Sequence, residues 1–416
     1  MCKTMKQIVF LSAMLLLVLI SCTSNEIVEG SSAANTEKLL WVQQDTLAIA
    51  RALRLSQDSL ITTSHEASQL FDQLGSLPAY SRVKAASTEE IYNVLVMGDC
   101  ELDYRGITYN ELYTKLGKIA NVGTRYTGLR YNDGTVVSKP EVALIAGDLT
   151  GSRAEASSWT NLRKILKQFN DNGIYTFANI GNHDWELRTN TDGTYGFTYN
   201  GHISNTRSIT GVIGIWVDAL SAAISNGEIT KFTNVDAIQY KSLSTFNWWG
   251  VSVDLITSPP VYGFTYRGVD YVLGPTFLYE PTARVTTKSF LGIGPASFTD
   301  GLSTAYLASR ASRVNISTRI YVQHYPYTAG DFWWNDYSGK SSSALRANFN
   351  SALKSARISA MFSGHAHQSA TRFTGVVTDY TTGYAGNAGG PAWFLMVQVS
   401  STRGVLQVKE FNTNGF

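Results

Sequence analysis

The chain has 416 residues, of which 44% are hydrophobic and 16% charged, and its formal net charge is +2. That balance fits a folded globular chain rather than a disordered one, and without a long Lys or Arg run charge gives no support for recognition of nucleic acid through a basic surface. The length suits one large domain or a domain with an appendage.

The first 21 residues read as an address rather than a fold. Lys3 and Lys6 give a positive start, and Ile8 to Ile20 is almost wholly apolar. This run is shorter than the roughly 20 residues of a comfortable membrane span. It ends in Leu19-Ile20-Ser21-Cys22, which resembles the lipobox of bacterial lipoproteins. The resemblance implies cleavage before Cys22 and acylation of its thiol. The alternative is an ordinary signal peptide with an incidental Cys. The lipobox reading places the protein in the cell envelope, lipid-anchored at the outer membrane or surface of a bacterium. Cys2 then leaves with the signal and Cys100 stands alone, so no disulfide is expected in the mature chain. No later segment reads as apolar enough to span a bilayer.

Residues 22–36 are small and polar, as in a flexible tether. Residues 37–80 read as a helical segment. Leu60, Ser64, Ala67, Phe71 and Leu74 recur at three- or four-residue steps, and Pro78 closes the run. From about residue 90 to 416 short apolar runs alternate with helical stretches near 108–120, 154–170 and 343–355, the pattern of an α/β domain. Five buried-strand runs each end on polar residues. Ile91 to Met97 leads to Gly98-Asp99, Val142 to Ala146 to Gly147-Asp148, and Ile174 to Ile180 to Gly181-Asn182-His183-Asp184. Arg319 to Gln323 leads to His324, and Ile358 to Phe362 to Ser363-Gly364-His365-Ala366-His367. Sites in open α/β sheets form beyond the carboxyl ends of strands. If these strands lie side by side, the five clusters meet at one sheet edge. Residues 190–270, rich in aromatics with Gly, Ser and Thr, break the rhythm and read as an insertion capping the site. Residues 331–338 form a second aromatic loop.

Six His occur, at His65, His183, His202, His324, His365 and His367, and four of them fall in the strand-end clusters. An isolated His such as His65 reads as an ordinary core or surface residue, whereas the set of four reads as metal ligands. At this point residues 91 to about 400 resemble the calcineurin-like metallophosphoesterase superfamily. Its blocks are Asp-x-His, Gly-Asp, Gly-Asn-His-Asp/Glu, a lone His and Gly-His-x-His, each after a strand. The resemblance implies two mixed β-sheets packed face to face and flanked by helices. It also implies a binuclear metal-dependent phosphoric ester hydrolase acting on a small organic phosphate mono- or diester. Carried over by position, Asp99 and His367 bind the first metal, Asn182, His324 and His365 the second, and Asp148 both. The cofactors would be two transition-metal ions, since mixed Asp, Asn and His ligands suit Mn, Fe or Zn better than Ca. A carboxylate can hold two cations roughly 3.5–4 Å apart, and such a pair turns a bridging water into hydroxide for in-line attack. His183 is implied as the group beside the leaving oxygen, with Asp184 orienting its imidazole.

The first block departs from the family, with Glu101 where His is usual. Glu101 is either an added anionic ligand or a surface residue turned away. Arg105 either contacts phosphate through its planar fork or forms a structural salt bridge. His202 either reaches substrate or is an exposed loop His. The Trp248-Trp249 and Trp333-Trp334 pairs either stack on substrate or pack among themselves. The chain ends soon after the last block, without the large C-terminal domain usual in secreted nucleotidases of the superfamily. A second reading of the whole is a degenerate scaffold that binds surface glycans through the aromatic loops. Cys22→Ser is expected to move the protein from the membrane fraction to the soluble fraction. Continued sedimentation of the variant with membranes would reject the lipid anchor.

Overall fold

Strand β1 (Ile91–Met97) is central in a five-stranded sheet, where it pairs in parallel with β2 (Pro140–Ala146), and β2 in parallel with β3 (Tyr175–Asn179). On the other side β12 (Trp393–Ser400) and β13 (Gly404–Asn412) continue the sheet antiparallel, giving the order β13-β12-β1-β2-β3. The second sheet runs β10-β11-β9-β8-β7-β6-β4. Its strands are β4 (Phe232–Thr233), β6 (Val251–Tyr266), β7 (Val269–Leu273), β8 (Thr318–Val322), β9 (Ala360–Ser363), β10 (Ala370–Phe373) and β11 (Thr378–Thr381), with β5 (Gln239–Trp248) paired to β6. This computed structural model describes residues 69–70, 88–121, 125–151, 156–185, 199–248, 251–274, 302–327 and 342–415, all within the compact unit Leu53–Phe416. The expected signal, tether and most of the 37–80 segment lie outside these residues, as do His65 and the loop 331–338.

The helices form where the sequence spaces apolar residues at helical intervals. In α1 (Tyr109–Ala120) Leu112, Leu116, Ile119 and Ala120 make the buried stripe, and the Thr108 hydroxyl caps the N-terminus by accepting from Glu111 N at 3.3 Å. In α2 (Ala156–Asp171) the stripe is Trp159, Leu162, Ile165, Leu166 and Phe169. The one-turn α3 (Asn182–Trp185) follows β3, and α4 (Tyr199–Ser225) packs on β3, α2 and β6. Helices α5 (Leu302–Arg313) and α6 (Ser342–Ser355) pack beside the second sheet.

Two expectations change here. The five site-bearing strands do not share one sheet: β1, β2 and β3 adjoin in the first, and β8 and β9 in the second. Nor is 190–270 wholly a cap. Within it α4 covers the first sheet, and residues 261–266 are a buried part of the second. The stretch Ser208–Ser225 is long and apolar enough to cross a bilayer by composition, yet Ile209, Val212, Ile215, Trp216, Ala219, Leu220 and Ala223 are buried within the fold. A helix apolar on most sides is one that packs on most sides.

Tyrosine hydroxyls join the two sheets. Tyr92 of β1 donates to Tyr266 O at 2.9 Å and lies 2.6 Å from the Tyr271 hydroxyl, and Tyr266 donates to Glu141 of β2 at 2.8 Å. Tyr262 donates to Ala178 O at 2.7 Å and accepts from Ala178 N at 3.1 Å, which satisfies the open edge of β3. Each hydroxyl spends its polar capacity across the sheet interface, so the aromatic rings can bury without an orphaned donor.

Behind the second sheet lies a buried ionic knot. Asp270 of β7 accepts from Arg310 Nε at 3.0 Å through Oδ1 and from Arg319 Nε at 2.6 Å through Oδ2. Arg319 also donates to Val314 O at 2.7 Å, and Arg310 to Asn234 O at 3.0 Å. All three ionic side chains are fully buried. Removing the carboxylate charge would leave Arg319 without a counter-ion and Arg310 with Asp236 alone. Asp270→Asn is therefore expected to lower stability by about 3–5 kcal/mol in urea unfolding. Asp218→Asn, which breaks a partly exposed pair with Arg163 at 2.8 Å, should cost less than about 1 kcal/mol. Similar losses in the two variants would show that burial does not govern the Asp270 network.

Candidate metal centre

Five strand ends from the two sheets meet at one place. Asp99 follows β1, Asp148 follows β2, Asn182 and His183 follow β3, His324 follows β8, and His365 and His367 follow β9. The backbone turns sharply at these points. Asp99, Glu101, Asp148, His365 and His367 all have left-handed φ, between 43° and 69°. Such values are uncommon for residues with a Cβ, and their gathering in one site marks a place where geometry overrides backbone preference. Gly181 lets the loops close. A Cβ there would lie 2.2 Å from Asp148 N and Oδ1.

Three carboxylates, Asp99, Glu101 and Asp148, are fully buried in this cluster. Asp99 accepts His365 N on both oxygens at 2.9 Å and lies 3.5 Å from His367 Nε2. Asp148 Oδ1 accepts His183 N at 2.8 Å. Asp148 Oδ2 lies 3.1 Å from His324 Nε2 and 3.7 Å from His183 Nε2. His324 Nδ1 must donate to Ala146 O, 2.8 Å away, because a carbonyl only accepts. In the neutral imidazole Nε2 then carries the lone pair. It faces Asn182 Oδ1 at 2.9 Å as well as Asp148 Oδ2. Three acceptor atoms converging on one point favour a proton or a cation there.

The titration behaviour has the same cause. Burial would raise Asp148, but His324 and His183 outweigh it and hold the carboxyl at about 2. Burial would lower His324 and His367, yet Asp148 lifts the first to about 9, and Asp99 and Glu101 lift the second to about 10. Burial and the charge of His324 press His365 down to about 3, leaving it neutral. The cluster thus draws positive charge to itself, from protons or from cations.

The residues fit a metal pair. Glu101 Oε1 and Asp148 Oδ2 are buried without a hydrogen-bond partner, a costly state that coordination would relieve. Asp148, His324 and His365 offer ligand atoms within 4.8 Å of one another, and so do Glu101, Asp148 and His183. Asp148 is common to both triads.

Asp184 and His202 differ from expectation, and Glu101 takes the inward of its two expected places. Glu101 does not turn to the surface. Its carboxylate faces His183 Nε2 at 3.4 Å and His367 Nε2 at 3.5 Å. Asp184 does not orient the His183 ring. Its carboxylate accepts from Gly181 N at 2.9 Å, from Leu149 N and Thr150 N at 3.0 Å, and from the Thr150 hydroxyl at 3.1 Å. Burial, then the charge of Asp148, pushes it up to about 7 against those donors. Neighbouring residues on a helix do not face each other, so the carboxylate beside His183 in sequence ties the loops instead. Arg105 is exposed, forms no salt bridge among the described residues and lies over the Tyr104 ring at 5.1 Å. His202 belongs to helix α4 rather than a loop, and its side chain lies outside the described residues, as do those of both Trp pairs.

Three tyrosines that the sequence reading passed over frame the cluster. Tyr104 packs on His183 at 4.8 Å between ring centres, Tyr325 meets His365 edge-on at 4.4 Å, and Tyr384 stacks on His367 at 4.1 Å. Tyr325 directly follows a ligand-type residue, and Tyr104 lies three residues past Glu101, so proximity was a usable signal for both. Tyr384 had none.

No family model and no curated protein matches the chain. Solved structures are similar to it in fold. A putative 5'-nucleotidase from Staphylococcus aureus is 14% identical with a TM-score of 0.38, over 78% of this chain and 54% of that one. The phosphopantetheinyl hydrolase of Mycobacterium tuberculosis is 12% identical with a TM-score of 0.32, over 70% and 89%. GAP50, the anchor in the inner membrane complex of Plasmodium, is 13% identical with a TM-score of 0.34, over 77% and 89%. The two mixed sheets flanked by helices are the α/β architecture that the motifs implied. A fold by itself leaves the activity to be argued from the site.

Gly181→Ala places a methyl group against Asp148. It is expected to abolish most metal uptake, measured by elemental analysis, in a protein that still folds. Full metal content in the variant would show that Asp148 does not need this approach.

Proposed function

We propose that this chain is a metal-dependent phosphoesterase that hydrolyses a small phosphate mono- or diester. The observation that carries the reading is the meeting of three buried carboxylates with ligand-type imidazoles, in which Glu101 Oε1 and Asp148 Oδ2 accept no hydrogen bond and face imidazole nitrogens. Asp99, Glu101 and His367 would hold one cation, Asn182, His324 and His365 the other, and Asp148 both. When bound, the two cations would neutralise phosphate charge and acidify a water for in-line attack.

The chain's own groups supply the rest. His324 is fixed through its Nδ1 donation to Ala146 O, which presents Nε2 to the site. His183 is the proton donor. Its side chain is 13% exposed, its backbone is tied to Asp148, and its ring rests on Tyr104. As the ester P–O bond breaks, His183 Nε2 passes a proton to the leaving oxygen. Glu101 and Asp148 lie 3.4 and 3.7 Å from that nitrogen and hold it at the centre of the cluster. Arg105, which is exposed and within electrostatic reach of Glu101, would meet a phosphate oxygen through its planar guanidinium. A lipid at Cys22 would hold this chemistry in the cell envelope, against esters outside the cytoplasm.

Purified protein supplied with Mn²⁺ or Zn²⁺ is expected to hydrolyse a chromogenic phosphate mono- or diester. His183→Asn should lower turnover by about 10²–10⁴-fold with metal content nearly unchanged. No turnover by the wild type with any metal would reject the reading. Parallel loss of metal and turnover in the variant would make His183 a ligand, as its place in the second triad permits.

A further inference from the structure

Glu101 is the position where this chain leaves the motif, and it is built into the site more firmly than a tolerated substitution requires. Its main chain is fixed on both sides. Glu101 N donates to Asp148 O at 2.8 Å, and Glu101 O accepts Tyr104 N at 2.9 Å. The Tyr384 hydroxyl, 2.5 Å from Oε2, must donate, because an ionised carboxylate only accepts. That leaves Oε1 buried, unpartnered and facing His183 and His367.

Tyr384 is held for this contact. Its ring stacks on His367 with planes 12° apart. The following residues run beside the first block: Ala385 N donates to Gly98 O at 3.2 Å and Gly386 N to Asp99 O at 2.9 Å. Gly386 permits this approach, since a Cβ there would lie 2.2 Å from Cys100 O. One residue therefore touches two side chains of the first metal position and is anchored against the backbone of a third.

We infer that Tyr384 is a positioning residue that locks Glu101 as a ligand of the first cation, making that position richer in oxygen and negative charge than the second. This rests on the proposed two-cation reading. The first position then has Asp99, Glu101 and Asp148 with one imidazole. The second has Asp148, the Asn182 amide and two imidazoles. Oxygen-rich anionic sites favour harder cations such as Mn²⁺, whereas imidazole suits Zn²⁺. The hydroxyl on Oε2 keeps Oε1 turned inward, the orienting role that groups behind a metal ligand perform.

The test uses full-length protein stripped of metal with a chelator, then titrated with Mn²⁺ by calorimetry, with elemental analysis of the loaded protein. Wild type should bind two equivalents. Tyr384→Phe keeps the stacked ring and loses only the hydroxyl. It should weaken one Mn²⁺ site by about 10–100-fold, leaving the other site unchanged. In a Glu101→Ala background the same Tyr384→Phe change should have no further effect on Mn²⁺ affinity, because the hydroxyl then has nothing to position. Unchanged Mn²⁺ affinities in Tyr384→Phe, or an equal loss with Glu101 already removed, would overturn the inference while leaving the two-cation reading intact. Failure of the wild type to bind two equivalents would overturn both.

Discussion

Buried negative charge without enough hydrogen-bond donors is the constraint from which the rest of this molecule follows. Asp99, Glu101 and Asp148 lie together, out of water. An uncompensated buried carboxylate is too costly to persist, so it must take a proton, a donor or a cation. The backbone supplies some donors, as His365 N does for Asp99 and His183 N for Asp148. It does not supply all, and the remaining demand raises His324 and His367 well above the usual imidazole range. A chain selected only for stability would place apolar side chains there. The left-handed backbone at five of these residues adds strain on top of the electrostatic cost.

Such a cluster survives only on a scaffold rigid enough to hold it, and the site draws from both sheets. His324 of the second sheet bonds to Ala146 of the first, and His365 N to Asp99. A slip between the sheets would separate the cluster. The tyrosine contacts guard against this. Tyr92 ties β1 to β6 and β7, Tyr262 ties β6 to β3, and Tyr266 ties β6 to β2. Hydroxyl-to-backbone bonds fix register in a way that apolar packing alone does not, because their geometry is directional. The Asp270 knot stiffens the second sheet from behind, linking β7, β8 and α5 around one carboxylate.

What the sequence revealed divides along the same physical line. Strand ends were legible because each buried run is continuous and stops at Gly or at a metal-ligand residue type, as at Gly147-Asp148 and Gly181-Asn182. Division into two sheets was not legible from the residues, because strand periodicity carries no information about which strand is the neighbour. The stretch from 208 to 225 was misread for a related reason. A helix buried on most sides loses the polar stripe that marks amphipathic helices, and its aromatic and Ser/Thr-rich flanks suggested an insertion. Tyr384 was hidden because its role depends on a loop returning beside β1 from nearly 300 residues away.

Asp184 and Glu101 show how little residue type decides by itself. Both are buried carboxylates near His183, and both were legible as members of the site. Asp184 meets four donors, three from the backbone and one hydroxyl, so its lone pairs are committed and it serves as a clamp between two loops. Glu101 meets one donor from Tyr384 on Oε2, and Oε1 has none. A satisfied carboxylate gains little from a cation, whereas an unsatisfied one has its desolvation still to recover. The count of donors around each oxygen therefore separates scaffold from ligand where the amino-acid identity cannot. By that count the acidic residue beside His183 in sequence is structural, and Glu101 is the one left with an oxygen to satisfy.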